Sequence, residues 1–514
     1  MTPEIRARAA VRRRDFVAGF LAGALLLRVG KHATEPAVTE APERTGVEGD
    51  LEQSQLHPAQ ADLTTSGLKG RAFFVYNGNP IYLVGIDAQE LVADPAYDYP
   101  SVLDRLQVYR INKLRIWTDA WFVGVRGFRP WTYDVRTGRF NLDVWNDEYW
   151  TRLRSFAAAA LARDIIVEVS IFDAYPADSG PKGWWFNPFY RQAWNKDFNS
   201  NGAFSTNSSG NFYPEFYSLD GIERSSSGKT LRDYQQALVD KVIATFNPFP
   251  NVYFEIDNEF GLGGNQDAVH PWQEYWAKYV SQRSGKVVDV HAGGDDRFAH
   301  YYWDLPYVGG IDFHLYEQNP DKISLLLHSS QRKGKFLQCN ESYAWYLGNS
   351  VNAKLLDNAT RAAWGWFVSG GYYGFYNGHR TQYSGWDLMA RRAKILHDLA
   401  DTVQWWRMSP VDSSGGEYDA LVSWGPTPHW QVLASPPSQY VVYYWDDGRE
   451  RPTAKGALIQ LPQGVYQYSW YDPTSGDGMA SGVVTSRGGR TRIVAPPPTW
   501  DRNVGAVLVV KRTQ

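Results

Sequence analysis

Asn251 to Phe260 reads NVYFEIDNEF: an aromatic and β-branched run that stops on Asp257-Asn258-Glu259. A run of this length and composition predicts a buried strand, and polar residues gathered at its C-terminal end need a solvated mouth to face. A second run, Lys335 to Asn340 (KFLQCN), likewise stops on a carboxylate, Glu341. Two carboxylates that end two strands of one sheet organise the rest of the reading. Alternation along the first strand sets Asp257 on the opposite side from Asn258, as a structural residue, and Glu255 shares the side of Asp257.

Working outward, strand-like segments recur at Ile81–Ile86, Lys113–Trp117, Ile165–Phe172, Val252–Asp257, Val287–His291, Ile311–Tyr316, Lys335–Asn340 and Tyr372–Tyr376. Helical patterns fall between them, near Ser101–Ile111, Asp147–Arg163, Lys229–Phe246, Pro271–Ser284, Lys322–Lys333 and Ala353–Ser369, with Trp386–Val403 after the last strand. The weakest helix lies between Asp295 and Pro306. Eight strands, each followed by a crossover, predict an α/β chain folded as a (β/α)8 TIM barrel. An open doubly wound sheet would want a glycine-rich phosphate turn after an early strand, and Gly261-Leu262-Gly263-Gly264 has the wrong spacing.

After Trp405-Trp406-Arg407-Met408-Ser409-Pro410 the pattern changes to short strands between turn clusters, which predicts a small all-β sandwich. The expected domains are therefore an export signal at 1–33, a disordered linker at 34–70, the barrel at 71–408 and the sandwich at 409–514. Arg12-Arg13-Arg14-Asp15-Phe16-Val17 leads into an apolar segment ending at Leu27, which resembles a twin-arginine signal for carrying folded proteins across a bacterial membrane. A periplasmic or extracellular location is the expectation. An uncleaved segment would act as a membrane tether. The linker is rich in Glu, Pro, Thr, Ala and Gln without periodicity.

Composition narrows the function classes. With 52 Lys and Arg against 55 Asp and Glu, no basic stripe exists to track nucleic acid. The single cysteine, Cys339, rules out an internal disulfide and reads as a small core residue. Aromatic residues make up 15%, and many sit beside Gly, Asn and Pro, where rings are free to stack on sugar faces. The long insertion from Pro176 to Gly228 carries Trp184 and Trp185. It leaves the C-terminal end of a barrel strand, so it overhangs the mouth either as a substrate-contacting lid or as a self-packed loop.

Carboxylates ending strands four and seven of a barrel face each other across its mouth. A glycosidic bond needs one protonated carboxyl for the leaving oxygen and one carboxylate to attack or to activate water. Glu259 and Glu341 fit these posts. The chain resembles the retaining glycoside hydrolases of clan A, the cellulase and mannanase type of family 5, on Asn258-Glu259, Gln338-Cys339-Asn340-Glu341-Ser342, Asn112-Lys113-Leu114-Arg115-Ile116-Trp117 and Asp312-Phe313-His314-Leu315-Tyr316. The resemblance implies Glu259 as acid/base, Glu341 as nucleophile, and Arg115 and Tyr316 as the groups that hold it ionised. Trp117, Asn258, His314 and Tyr376 then line the substrate site, although the aromatic role after strand eight is open between Tyr376, Trp366 and His379. It also implies a polysaccharide or oligosaccharide substrate and no cofactor.

His291, His314 and His379 show no H-x-x-x-H or H-E-x-x-H spacing, so no metal is expected. No Gly-x-Ser-x-Gly elbow is present. An exported glycosidase is the leading reading; a glycan-binding barrel whose catalysis has lapsed, or a transglycosylase using the same pair, is the alternative.

Overall fold

The computed structural model describes residues 62–513 apart from 69, 89, 119–127, 135, 137–138, 174–213, 221–227, 260–265, 293–297, 316, 331–332, 342–352, 376–385, 412–421, 424–428, 446–456 and 494–503. Eight parallel strands close into a barrel: β1 Val84–Asp87, β2 Lys113–Trp117, β3 Ile166–Asp173, β4 Val252–Asn258, β5 Val288–His291, β6 Gly310–Asp312, β7 Phe336–Cys339 and β8 Tyr372–Phe375. Each pairs with its neighbours in chain order, and β8 returns to β1 through Tyr373, Gly374 and Phe375. This is the (β/α)8 architecture that the alternating segments predict.

The crossovers form where local chemistry favours them. Helix α1 is Tyr99–Val108, α2 Asp147–Leu161, α3 Leu231–Phe246, α4 Gln266–Ser284, α5 Pro320–Ser330, α6 Ala353–Val368 and α7 Trp386–Ala400. The α2 helix starts on the Asn146 cap with Asp147 and Glu148 in its first turn. It buries Tyr149, Trp150, Leu153, Phe156, Ala157 and Ala160, a helical stripe. At α3, Thr230 and Asp233 cap each other's backbone amides, which satisfies two donors a bare helix end leaves orphaned. Between β5 and β6 the described residues hold only the 3-10 turn Ala299–Tyr301, where the periodicity is weakest.

Two elements depart from the expectation. The linker ends well before residue 70, because Thr64–Leu68 pairs antiparallel with Arg71–Tyr76 and Leu63 is buried, its amide donating to Pro250 O. Five residues containing Gly and Ser carry too little local signal to show as a strand; the partner across a two-residue turn supplies it. Trp131–Asp134 and Arg139–Trp145 form an extra hairpin between β2 and α2.

The base of the barrel is plugged from this N-terminal sheet. The Phe74 ring lies 4.3 Å from Phe336 and 5.2 Å from both Tyr253 and Tyr372, centroid to centroid. Arg71 on the same strand donates to the carbonyls of Trp405 (2.9 Å) and Met408 (3.0 Å), which fixes the chain where it leaves the barrel.

Beyond Met408 the described residues form a six-stranded antiparallel sheet, in the order Ser409–Pro410, His429–Ser435, Gln439–Trp445, Ala506–Arg512, Gly464–Tyr471 and Gly478–Ser486. A three-stranded sheet of Val422–Ser423, Ala457–Leu461 and Gly489–Ile493 accompanies it. Side chains alternate: Val441, Tyr443 and Trp445 join the apolar cluster of the barrel, while Tyr440, Val442 and Tyr444 join a second cluster with Ile459, Leu461 and Ile493.

Candidate active site

The inside of this barrel is ionic where most such barrels are aliphatic. Above the aromatic base, Lys113 from β2 pairs with Glu168 of β3 at 2.6 Å, and donates to Gln338 Oε1 at 3.0 Å and to Asn340 Oδ1. Its long side chain is accommodated because β1 passes as Gly85, where a Cβ would meet Lys113 Cδ at 2.9 Å. Gln338 Nε2 in turn donates to Glu168 at 2.7 Å and to Asp289. Burial, then the charges of Glu168, Glu255 and Asp312, push the Asp289 carboxyl well above the usual range, against the pull of Lys113.

One turn higher, Arg115 is the hub. It donates to both oxygens of Glu255 at 2.7–2.9 Å, to Asn258 Oδ1 at 2.7 Å, to Asp87 at 3.4 Å and to Glu341 at 3.3 Å. Arg115 thus reaches Glu341, as expected, through one long contact, while its bidentate partner is Glu255, which the sequence did not show. Glu255 and Tyr253 alternate inward, so Glu255 belongs to the site and not to an outer face. One guanidinium shared among three carboxylates cannot compensate them all. Burial pushes Glu255 up to about 8 and Asp87 well above its ordinary value, against the pull of Arg115 in both.

At the mouth stand Glu259 and Glu341. Glu259 follows the last residue of β4 in the left-handed region, φ 51°, a conformation that costs a side-chain-bearing residue about 1–2 kcal/mol and here turns its carboxyl off the strand axis. Glu341 follows Asn340, which is held tightly. The Asn340 amide donates to Asp312 Oδ1 at 3.0 Å, its side chain donates to Glu168 at 2.8 Å and Asp312 at 3.1 Å, and Gly374 of β8 lies so close that a Cβ would meet Asn340 O at 3.0 Å. A carboxylate oxygen of Glu259 and one of Glu341 lie within 4.8 Å of each other. The Glu259 side chain is 14% exposed and that of Glu341 7%.

His314 lies between them. Its Nδ1 is 3.5 Å from Glu341 and 3.7 Å from Glu259, and its Nε2 faces Asp312 at 3.2 Å. Burial opposes its charge, yet Glu341, Asp312 and Glu259 together hold the imidazole well above its ordinary pKa. Asp312 is correspondingly held well below the carboxylate range: burial works upward, but His314, Arg115 and His291 outweigh it. Burial and the Glu259 charge raise Glu341, while His314 and Arg115 pull it down.

Of the residues singled out from the sequence, the structure brings together Arg115, Trp117, Asn258, Glu259, His314 and Glu341. Trp117 is buried with its ring 4.5 Å from the Arg115 guanidinium, so it walls the ion cluster. Asn258 bridges Arg115 and Asp173, donating to the latter at 2.9 Å. Trp184, Trp185, Tyr316, Tyr376 and His379 lie outside the described residues, as does the whole N-terminal segment through residue 61. Trp366 is removed from the open choice after strand eight, since it is a fully buried core residue of α6 beside Phe313. Cys339 is buried, as a core residue should be. Asp87, Glu168, Glu255, Asp289 and Asp312 were missed. Alternation set Glu255 on the opposite side from Asn258, yet both reach Arg115, so parity concealed it; for the rest, a lone carboxylate in a strand gives no signal. No helix among the described residues is long and apolar enough to cross a membrane.

No family model and no curated protein matches the chain. Solved structures do. A glycoside hydrolase superposes with a TM-score of 0.61 at 13% identity, over 88% of this chain and 97% of its own. A glycoside hydrolase of family 5 from Bacteroides vulgatus superposes with a TM-score of 0.58 at 13% identity, over 88% of this chain and 94% of its own. The chain thus has the (β/α)8 fold, shared with glycoside hydrolases that include a family 5 structure.

Proposed function

We propose that the protein is a retaining glycoside hydrolase that cleaves a β-linked glycan or glycoside by double displacement. The observation that carries this reading is the approach of Glu259 and Glu341 across the mouth to within 4.8 Å between carboxylate oxygens. Retaining pairs stand about 5–5.5 Å apart, whereas inverting pairs leave about 6.5–9.5 Å for a water. Glu341, braced through Asn340 and facing the Arg115 and His314 cations, attacks the anomeric carbon as Glu259 gives its proton to the leaving oxygen. Glu259 then takes a proton from water, which attacks the same carbon and frees Glu341. The twin-arginine-like start, Arg12 to Leu27, supports export to the periplasm or beyond.

Proton NMR of the first-formed sugar tests the stereochemistry: retention of the anomeric configuration is expected, and initial release of the opposite anomer overturns the double displacement. In Glu259→Ala, substrates with poor leaving groups should slow by about 10²–10⁴-fold while activated aryl glycosides lose far less, because only the former need the proton. Equal loss on both would remove Glu259 from the acid/base post.

A further inference from the structure

We propose that Glu259, His314 and Glu341 form a binding site for a divalent transition cation of the Zn²⁺ class, and that an ion there competes with substrate. The imidazole carries the argument. His314 Nδ1 is buried, and its 3.5 Å and 3.7 Å separations from Glu341 and Glu259 oxygens are both longer than a hydrogen bond. Ligands around a tetrahedral zinc, each about 2.0–2.1 Å from the metal, stand about 3.4 Å from one another. One nitrogen and two oxygens therefore already lie near three corners of such a site, and the ion takes the place of the proton that Nδ1 carries in the cationic ring, releasing it to solvent. The third edge, between the two carboxylates, is within 4.8 Å, and Glu259, the most exposed of the three, is the side chain able to close it.

The far side of the ring supports the same reading. Nε2 faces Asp312 at 3.2 Å, and Asp312 is itself fixed by the backbone and side chain of Asn340. A carboxylate behind a histidine orients the ring and raises its basicity toward a metal on the other nitrogen. One imidazole with two carboxylates suits zinc and its neighbours, whereas Mg²⁺ and Ca²⁺ seek oxygen ligands in larger number. A second set, His291, Asp312 and His314, also brings three ligand atoms within 4.8 Å, but all three are buried, while the Glu259 set opens toward the mouth. No spacing along the chain betrays the site, because its ligands follow three different strands.

Binding is independent of the catalytic reading; only the competition rests on it. Equilibrium dialysis of the full chain against Zn²⁺ should find one ion per chain, and Co²⁺ in its place should show the intense visible bands of a tetrahedral site. Both should be lost in Glu259→Gln and His314→Gln, Asp312→Asn should bind about 10–100-fold more weakly, and Mg²⁺ should not displace Zn²⁺. On a hydrolysed glycoside, Zn²⁺ should raise KM and leave kcat unchanged. No zinc bound by the wild-type chain, or undiminished binding by Glu259→Gln, overturns the site; should His314→Gln fail to fold, the partly exposed Glu259 still decides. Bound zinc that lowers kcat alone overturns the competition. Zinc binding without glycosidase activity leaves the site standing and sinks the catalytic reading, and activity without zinc binding does the reverse.

Discussion

The barrel strands and the three central strands of the six-stranded sheet, His429–Ser435, Gln439–Trp445 and Ala506–Arg512, are buried along nearly their whole length, yet their interiors are opposites. Inside the barrel, Asp87, Lys113, Arg115, Glu168, Glu255, Asp289 and Asp312 meet one another. In these central strands both faces are mostly apolar, with Leu433, Val441 and Val509 on the barrel side and Val432, Val442 and Leu508 on the other; Gln431 is the buried polar exception. Burial alone therefore does not dictate apolarity. A sheet face packed on another surface meets few polar partners, so it is mostly hydrocarbon. A closed ring of strands aims polar side chains at each other, and charges are tolerated there only while hydrogen bonds and counter-charges compensate their desolvation.

The sharpest way to break this contrast is to take away the hub. Arg115→Met strands three carboxylates, and a stability loss of about 3–5 kcal/mol is expected in urea unfolding. A loss under about 1 kcal/mol would mean that those carboxyls are neutral without it, and that the interior is polar but not ionic.

The apolar side has its own test. Leu433→Ala should cost about 3 kcal/mol through transfer and cavity terms, and unfolding should remain one transition, because Leu433 belongs to the apolar cluster of the barrel. Separate melting of the C-terminal sheets would show that they are an independent module.

The smallest effect concerns protons. Asp289 has its folded pKa raised, so from about pH 4 upward the folded chain keeps a proton that the unfolded chain has released. Its contribution is thus full below the unfolded pKa and declines as pH rises, by up to about 1.4 kcal/mol per pH unit, until the folded group titrates. Asp87 and Glu255 act in the same direction. Melting curves between pH 5 and 8 should fall, and Asp289→Asn should flatten them. An unchanged slope in that variant would place an ionised Asp289 in the barrel.

How far such details were legible differs from element to element. Helix α6 was expected at Ala353–Ser369 and runs Ala353–Val368. Periodicity is a local property, so it reads locally. The strand Ile311–Tyr316 is instead Gly310–Asp312, so His314 lies past the end of β6, where it is free to turn toward the carboxylates. Arg115 was rightly singled out but its main partner was not, since nothing in a linear pattern says which carboxylate a guanidinium will reach.

The sequence by itself determined the alternation of strands and helices, the switch to short strands after Met408, and the two glutamates at strand ends, because each is written in the period and composition of one contiguous segment. Only the tertiary structure decided that Glu255 takes Arg115, that Lys113 and Glu168 pair inside the barrel, and that His314 stands between Glu259 and Glu341. Those residues come from strands far apart in the chain, and the closure of the ring at fixed parallel register sets which of their side chains meet, and at what distance.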